Sequence, residues 1–312
     1  MAFEPAYLKL VRTGELAERV RAAYQHLERC DLCAHHCGVN RRATIKGTVC
    51  RTGGRAVVSS FNPHFGEEAP LVGRGGSGTL FFAWCNLRCQ YCQNYEISQR
   101  GEGTEVEPEE IAAMMLRLQA EGCHNINFVS PSHVVAPILA ATLRAAQAGL
   151  CVPLVYNTGG YDSPAALALL DGVIDIYMPD MKYADAATAR QYSKIRKYPA
   201  ANRAAVKEMY RQVGDLEVDE RGLARRGLLV RHLILPGDLA GTREVLRFIA
   251  EEISPNTFLN LMDQYRPCYK AKEYAELNRR ITREEFERAV KWANELGLTR
   301  LDERVPFRWG SL

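Results

Sequence analysis

The chain has 312 residues and a mass of 35.0 kDa, which at about 150 residues per domain allows two units or one large α/β barrel with an extension. Hydrophobic residues at 47% and charged residues at 25% match an ordinary globular protein and exclude extensive disorder. The 40 Lys and Arg against 37 Asp and Glu leave a formal net charge of +3, without the basic bias of a nucleic-acid binder.

The first residues, MAFEPAYLKLVRTGELAERV, carry scattered charges and lack the apolar core of a secretory signal. No apolar run reaches the roughly 18 residues of a membrane span. A cytoplasmic protein with neither membrane nor nucleic acid as partner is expected. Residues 8–29 have helical spacing, with Leu8, Val11, Leu16, Val20 and Tyr24 on one face. From there to about residue 75 the chain reads as a cysteine-rich loop, too irregular to hold itself together by burial.

Beyond residue 75, apolar runs predict strands at Thr79–Trp84, Asn125–Val129, Val152–Asn157, Val173–Met178, Leu228–Leu235 and Thr257–Met262. Helical stretches fall between them, near 108–121, 134–149, 164–170, 185–213 and 240–253. Glu107-Pro108-Glu109-Glu110 is a helix start, with Pro in the first turn and acids at the positive dipole end. Pro199 is expected to divide 185–213 into two helices, and 214–227 reads as a hairpin or an exposed loop. Strands alternating with helices predict an α/β fold with a parallel sheet, a partial (β/α)6 TIM-type barrel bearing a cysteine-rich N-terminal extension. The predicted divisions are 1–75 for the N-terminal helix and cysteine segment, 76–270 for the barrel and 271–312 for a helical tail. Functional residues then belong just past the carboxyl ends of the strands.

Ten cysteines punctuate this pattern, seven of them between residues 30 and 92. In a chain that is neither short nor visibly secreted, clustered thiols indicate metal rather than disulfides. Cys85, Cys89 and Cys92 have the spacing C-x3-C-x2-C immediately after the first predicted strand. Three thiolates so close can hold three irons of a cubane and leave the fourth open, whereas a structural zinc needs four ligands. Cys30, Cys33, Cys37 and Cys50 form a second set of four, suited either to zinc or to a fully ligated auxiliary iron–sulfur cluster. Cys123 and Cys151 read as small buried apolar groups. Cys268, after the last strand, is a candidate hydrogen-atom donor. His64, Glu67 and Glu68 precede the barrel and are candidates to reach its mouth. Gly73–Gly78 lacks the residues of a phosphate loop and precedes a strand instead of following one.

Cys85, Cys89, Tyr91 and Cys92 resemble the C-x3-C-x-aromatic-C signature of the radical S-adenosylmethionine (SAM) enzymes. The resemblance implies a [4Fe-4S] cluster whose open iron is chelated by SAM. It further implies that one electron cleaves the sulfonium and that the 5′-deoxyadenosyl radical abstracts a hydrogen atom. Further segments resemble glycyl-radical-enzyme activases: Gln93-Asn94 after the thiols, Met178-Pro179-Asp180-Met181-Lys182, Asn157-Thr158-Gly159-Gly160, and Arg231 with Pro236-Gly237. In that family the aspartate helps bind a monovalent cation and the lysine meets the SAM carboxylate. By this resemblance Tyr91, Asn157, Asp180, Lys182 and Arg231 belong to the cofactor site. Ser130-Pro131-Ser132-His133 stands where many members carry Gly-Gly-Glu, so Ser130 or His133 is the side-chain candidate for the methionine amine, with backbone carbonyls as the alternative. Asn157 replaces the activases' aspartate, and Asp263–Cys268 replaces their histidine-containing segment.

The chain as a whole resembles pyruvate formate-lyase activating enzyme-like proteins. That implies a radical oxidoreductase reduced by a flavodoxin or ferredoxin and acting on a glycyl radical enzyme. The alternatives are another peptide or a small metabolite as target, or a non-catalytic iron–sulfur electron carrier or metal-binding interaction protein.

Overall fold

A computed structural model describes residues 3–302. The described residues form nine strands: β1 Ala56–His64, β2 Ser77–Phe82, β3 Thr104–Val106, β4 Ile126–Val129, β5 Leu154–Thr158, β6 Ile176–Pro179, β7 Glu217–Val218, β8 Ala224–Leu233 and β9 Phe258–Met262. The helices are α1 Ala6–Thr13, α2 Glu15–His26, α3 Ala69–Val72, α4 Pro108–Ala120, α5 Val135–Gln147, α6 Pro164–Leu170, α7 Ala186–Ser193, α8 Tyr198–Val213, α9 Thr242–Phe248 and α10 Arg283–Glu295. None is long and apolar enough to cross a membrane.

All six predicted strands are present, as β2, β4, β5, β6, β8 and β9. They pair in parallel in that order. The sheet is nevertheless mixed. β1 runs antiparallel along β2, β3 antiparallel along β1, and β7 antiparallel along β8. Reading residues up to 75 as loop therefore missed β1, whose polar pair Ser59-Ser60 and Pro63 mask the alternation. β1 also explains why the barrel wall does not close by hydrogen bonds. It occupies the edge of β2 that β9 would otherwise need. The gap is bridged by side chains instead: Asn260 of β9 donates to Glu68 Oε1 at 2.9 Å.

Two apolar layers follow from strand alternation. Leu80, Phe128, Tyr156, Tyr177 and Val230 face the helices, while Val155, Ile176, Met178 and Leu229 join Leu71 inside the barrel. The N-terminal segment is laid on this frame, with α1 and α2 packed against α5 and α2 also against α6. The predicted helix over 8–29 is broken at Gly14, which takes a left-handed φ of +80°. The 185–213 stretch divides before Pro199. Lys194 and Lys197 are left-handed and Pro199 sits in the first turn of α8. Residues 271–302 contain two short turns and α10. The rest of the predicted tail, 303–312, lies outside the described residues.

Candidate active site

The carboxyl ends of β2, β4, β5, β6 and β8 open on one side of the sheet, and the loop after β2 carries Cys85, Cys89 and Cys92. Cys89 is buried, and Cys85 and Cys92 are partly so. The loop is anchored on the end of α7 by Gln90 N–H to Tyr192 O at 2.7 Å and Arg88 N–H to Ser193 O at 3.1 Å. Each sulfur has a polar neighbour. Leu87 N–H donates to Cys85 at 3.4 Å, Ser193 Oγ donates to Cys89 at 3.0 Å, and Ser98 Oγ lies 3.0 Å from Cys92. Burial pushes the Cys85 thiol up to about 12 and the Cys89 thiol up to about 11, with the Lys182 charge pulling both back. The free thiols therefore hold their protons at neutral pH, and a bound metal must displace them.

Tyr91 is buried behind these thiols. Its hydroxyl lies 2.6 Å from that of Tyr183, which lies 2.7 Å from Ser193 Oγ, so a chain of hydroxyls runs from Tyr91 to Cys89. The loop after β9 folds over the same place. Lys270 N–H donates to Gln90 O at 2.9 Å, and Tyr269 stacks on Tyr95 with ring centroids 5.2 Å apart. Cys268 lies on this loop, close enough to Cys92 and Tyr265 to perturb both electrostatically.

β6 and β8 contribute the charges. Arg231 Nε donates to Asp180 at 2.9 Å, Arg231 Nη2 to Asn157 Oδ1 at 2.7 Å, and Lys182 Nζ to Asp180 at 2.5 Å. Burial opposes the charge on Asp180, but Arg231 and Lys182 outweigh it and hold its pKa below the ordinary value. Arg231 also lies 3.9 Å from Glu67 and from Glu68. Glu67 and Glu68 thus enter the barrel from the side of the gap rather than over its mouth. His64 pairs with Ser77, the first residue of β2, at the opposite end from the thiols.

Two glycines let the strand ends approach. A Cβ on Gly159 would meet Leu87 Cδ1 at 2.0 Å, and one on Gly160 (φ +71°) would meet Asn202 Nδ2 at 2.1 Å. Tyr198 and Asn202, on α8, then bond the carbonyls of Gly159, Gly160 and Asp180 at 2.9–3.0 Å. Neither residue carries a motif, and only the packing of α8 under β6 discloses them. Inside the barrel, the Asn127 amide and Glu68 Oε2 are buried without a hydrogen-bond partner.

Ser130 ends β4 at the open side with a left-handed φ of +59°. His133 does not face this site. It is 1% exposed, its Nε2 bonds Ala83 O at 3.0 Å, and it lines a cavity with Cys30, Cys33, Cys37 and Cys50. The short turn Pro131–His133 after β4 carries it to the cavity of the N-terminal thiols, so it is not a candidate for the methionine amine. Cys123 is buried as expected, but Cys151 is exposed. Of Arg221, Arg225 and Arg226, two pair with Asp219 and the third bonds Gln212 O.

Three thiols on a strand end beside a Lys–Asp–Arg network suit a three-iron attachment with one iron open. Among the described residues no three His, Cys, Asp or Glu side chains converge as ligands of a single ion. The sequence pattern of the radical SAM superfamily matches residues 79–249.

The chain belongs to the radical SAM superfamily.

Membership implies a [4Fe-4S] cluster and SAM as cofactors. The matched span runs from β2 through α9 and includes every charged and sulfur-bearing residue of the site except Glu67, Glu68 and Cys268. This radical SAM protein is also 32% identical to an uncharacterized protein of Methanocaldococcus jannaschii, over 93% of this chain and 82% of that one. Among solved structures it is similar to HydG, a maturase of the [FeFe]-hydrogenase, with TM-score 0.47 and 12% identity. That match covers 70% of this chain but only 48% of HydG, so the chain spans about half the length of that structure.

Proposed function

We propose that Cys85, Cys89 and Cys92 attach the [4Fe-4S] cluster, that SAM binds beside it, and that the protein abstracts a hydrogen atom from a glycine in a partner polypeptide. It would then be an activase of a glycyl radical enzyme, reduced by a flavodoxin- or ferredoxin-type donor. The observation that carries this reading is the placement of Lys182, held by Asp180 at 2.5 Å, where its charge acts on all three thiols. When bound, the cluster and SAM supply one-electron cleavage of the sulfonium and a 5′-deoxyadenosyl radical.

The chain's own residues provide the rest. Lys182 offers a cation to the SAM carboxylate, and Asp180, itself held by Arg231, prevents it from swinging away. The Ser193 hydroxyl and the Leu87 N–H stabilise negative charge on sulfur. The hydroxyl chain from Tyr91 keeps the underside of the thiol loop dry and fixed. Ser130, at the end of β4, is the remaining candidate for the methionine amine, and Cys268, on the covering loop, for hydrogen donation. The activase reading rests on the likeness of Met178–Lys182 and Gln93-Asn94 to that group. A small polar metabolite is a second reading, favoured by the unpaired Asn127 amide and Glu68 Oε2 inside the barrel. Cys30, Cys33, Cys37 and Cys50 are taken as a second metal site, of iron–sulfur or zinc.

The test is anaerobic reconstitution, reduction and measurement of 5′-deoxyadenosine. Wild type is expected to form it, and a Cys85→Ala, Cys89→Ala, Cys92→Ala variant none. Equal amounts from both would sink the proposal. Deuterium reaching 5′-deoxyadenosine from a labelled glycine of a candidate glycyl radical enzyme supports the activase reading. Label arriving from a free metabolite favours the second.

A further inference from the structure

The reaction above has no use for the N-terminal thiols, yet they are gathered in one place. Cys30, Cys33, Cys37 and Cys50 line a single small cavity together with Arg41 and His133. Arg41 is only 3% exposed. Its guanidinium donates to Thr52 O at 2.8 Å, Gly53 O at 2.9 Å, His133 O at 2.7 Å and Cys30 Sγ at 3.5 Å. Among the described residues no carboxylate forms an ion pair with it. A buried cation without a counter-charge is strongly unfavourable. The acidic groups on hand are the four thiols, which become anions when a metal displaces their protons. His133 adds an independent sign. With Nε2 given to the Ala83 carbonyl, its Nδ1 keeps a lone pair, and that atom is buried without a partner.

The same loop is stitched to the first thiol set. His35 Nε2 lies 2.7 Å from Asn86 O, Arg88 bonds Val49 O, and Cys33 pairs with Asp162 in a β-bridge. Asn86 stands between the two sets. It is 3% exposed, its side chain is hydrogen-bonded to Cys33, and the Cys85 thiol donates to its Oδ1 at 3.9 Å. One residue therefore touches a sulfur of each set.

We propose that Cys30, Cys33, Cys37 and Cys50 hold a second [4Fe-4S] cluster and that Asn86 is the electron path from it to the cluster of Cys85, Cys89 and Cys92. Zinc would need all four sulfurs at about 2.3 Å from one point, whereas a cubane takes one thiolate at each separate corner. The four thiols line one cavity, and its link through Asn86 to the first thiol set favours the group that can carry an electron. One electron leaves a reduced one-electron carrier of the flavodoxin or ferredoxin class, reduces the second cluster and passes to the first. No proton or group moves with it. The relay rests on the cluster assignment made above for the first thiol set, but the second cluster does not.

Metal and sulfide analysis of the reconstituted full chain separates the two. About eight irons and eight sulfides per chain are expected in wild type. A Cys30→Ser, Cys33→Ser, Cys37→Ser, Cys50→Ser variant should lose about half, and so should the Cys85→Ala, Cys89→Ala, Cys92→Ala variant. One zinc with about four irons in wild type overturns the second cluster. Loss confined to the N-terminal variant overturns only the first assignment. Should the N-terminal variant not fold, paramagnetic resonance of reduced wild type decides. Two clusters this near broaden each other's signals, and the Cys85→Ala, Cys89→Ala, Cys92→Ala variant should show one narrow signal. Identical spectra overturn the proposal. An Asn86→Leu variant should keep its iron while reduction of the first cluster slows about tenfold, and an unchanged rate overturns the role of Asn86.

Discussion

The two thiol loops reach similar burial by different means. Cys85, Cys89 and Cys92 lie within eight residues, on the end of a strand, and the charges beside them are of both signs. Arg231 and Lys182 face Asp180, Glu67 and Glu68. Cys30, Cys33, Cys37 and Cys50 span 21 residues of irregular chain, and Arg41 beside them has carbonyls and a sulfur for partners. The comparison teaches that the cations of the first site find their counter-charges within the protein. Arg41 of the second has no carboxylate partner among the described residues, and on our proposal the sulfurs supply its counter-charge.

The largest effect expected from breaking this contrast is at Arg231. Arg231→Ala leaves Glu68 and Asp180 buried with one cation fewer, a loss of about 3–5 kcal/mol. Denaturant unfolding checks it, and a loss below 1 kcal/mol would mean the network is relaxed by water. Next is Gly159→Ala. Its Cβ would sit 2.0 Å from Leu87 Cδ1 within the thiol loop. Overpacking there is expected to destabilise by about 1–3 kcal/mol and to lower iron content at the first site but not the second. Arg41→Met tests the second loop. With its counter-charge gone, the reconstituted site should give up metal to a chelator about tenfold faster, while metal-free protein keeps near-wild-type stability. A large loss in the metal-free state would show that Arg41 acts through its carbonyl contacts alone.

The smallest effect belongs to a carboxylate remote from both loops. Asp175 begins the turn into β6 and accepts N–H bonds from Ala6 at 2.9 Å and Leu154 at 3.1 Å. Burial pushes its pKa up to about 7, opposed by those N–H groups and by Arg226. The folded state therefore holds the proton longer than the unfolded state does. Its contribution is full below the ordinary value of 3.8 and is lost as pH rises through about 7. Wild type should lose stability between about pH 4 and pH 7 relative to Asp175→Asn. Parallel unfolding profiles would refute the shift.

Much of this was legible in the chain itself. Apolar runs located six parallel strands, because burial on both faces leaves a continuous signal. The spacing of Cys85, Cys89 and Cys92 and the short motifs at 157–160 and 178–182 marked one end of the barrel. β1 was missed because Ser59-Ser60 and Pro63 interrupt its apolar alternation. His133 was misread because a motif position does not say which way a side chain turns after the strand ends.

Spacing and apolar pattern by themselves therefore located the clustered thiols, the six parallel strands and the end of the barrel that bears those thiols. Local sequence suffices there, since each thiol is positioned by its own short loop and each strand by its own apolar run. Only the tertiary structure decided that Glu67 and Glu68 meet Arg231, that Tyr198 and Asn202 clamp the glycine turn, and that Asn86 touches both thiol sets. Those contacts join residues far apart in the chain, and burial of unlike groups from separate elements, rather than any local propensity, selects them.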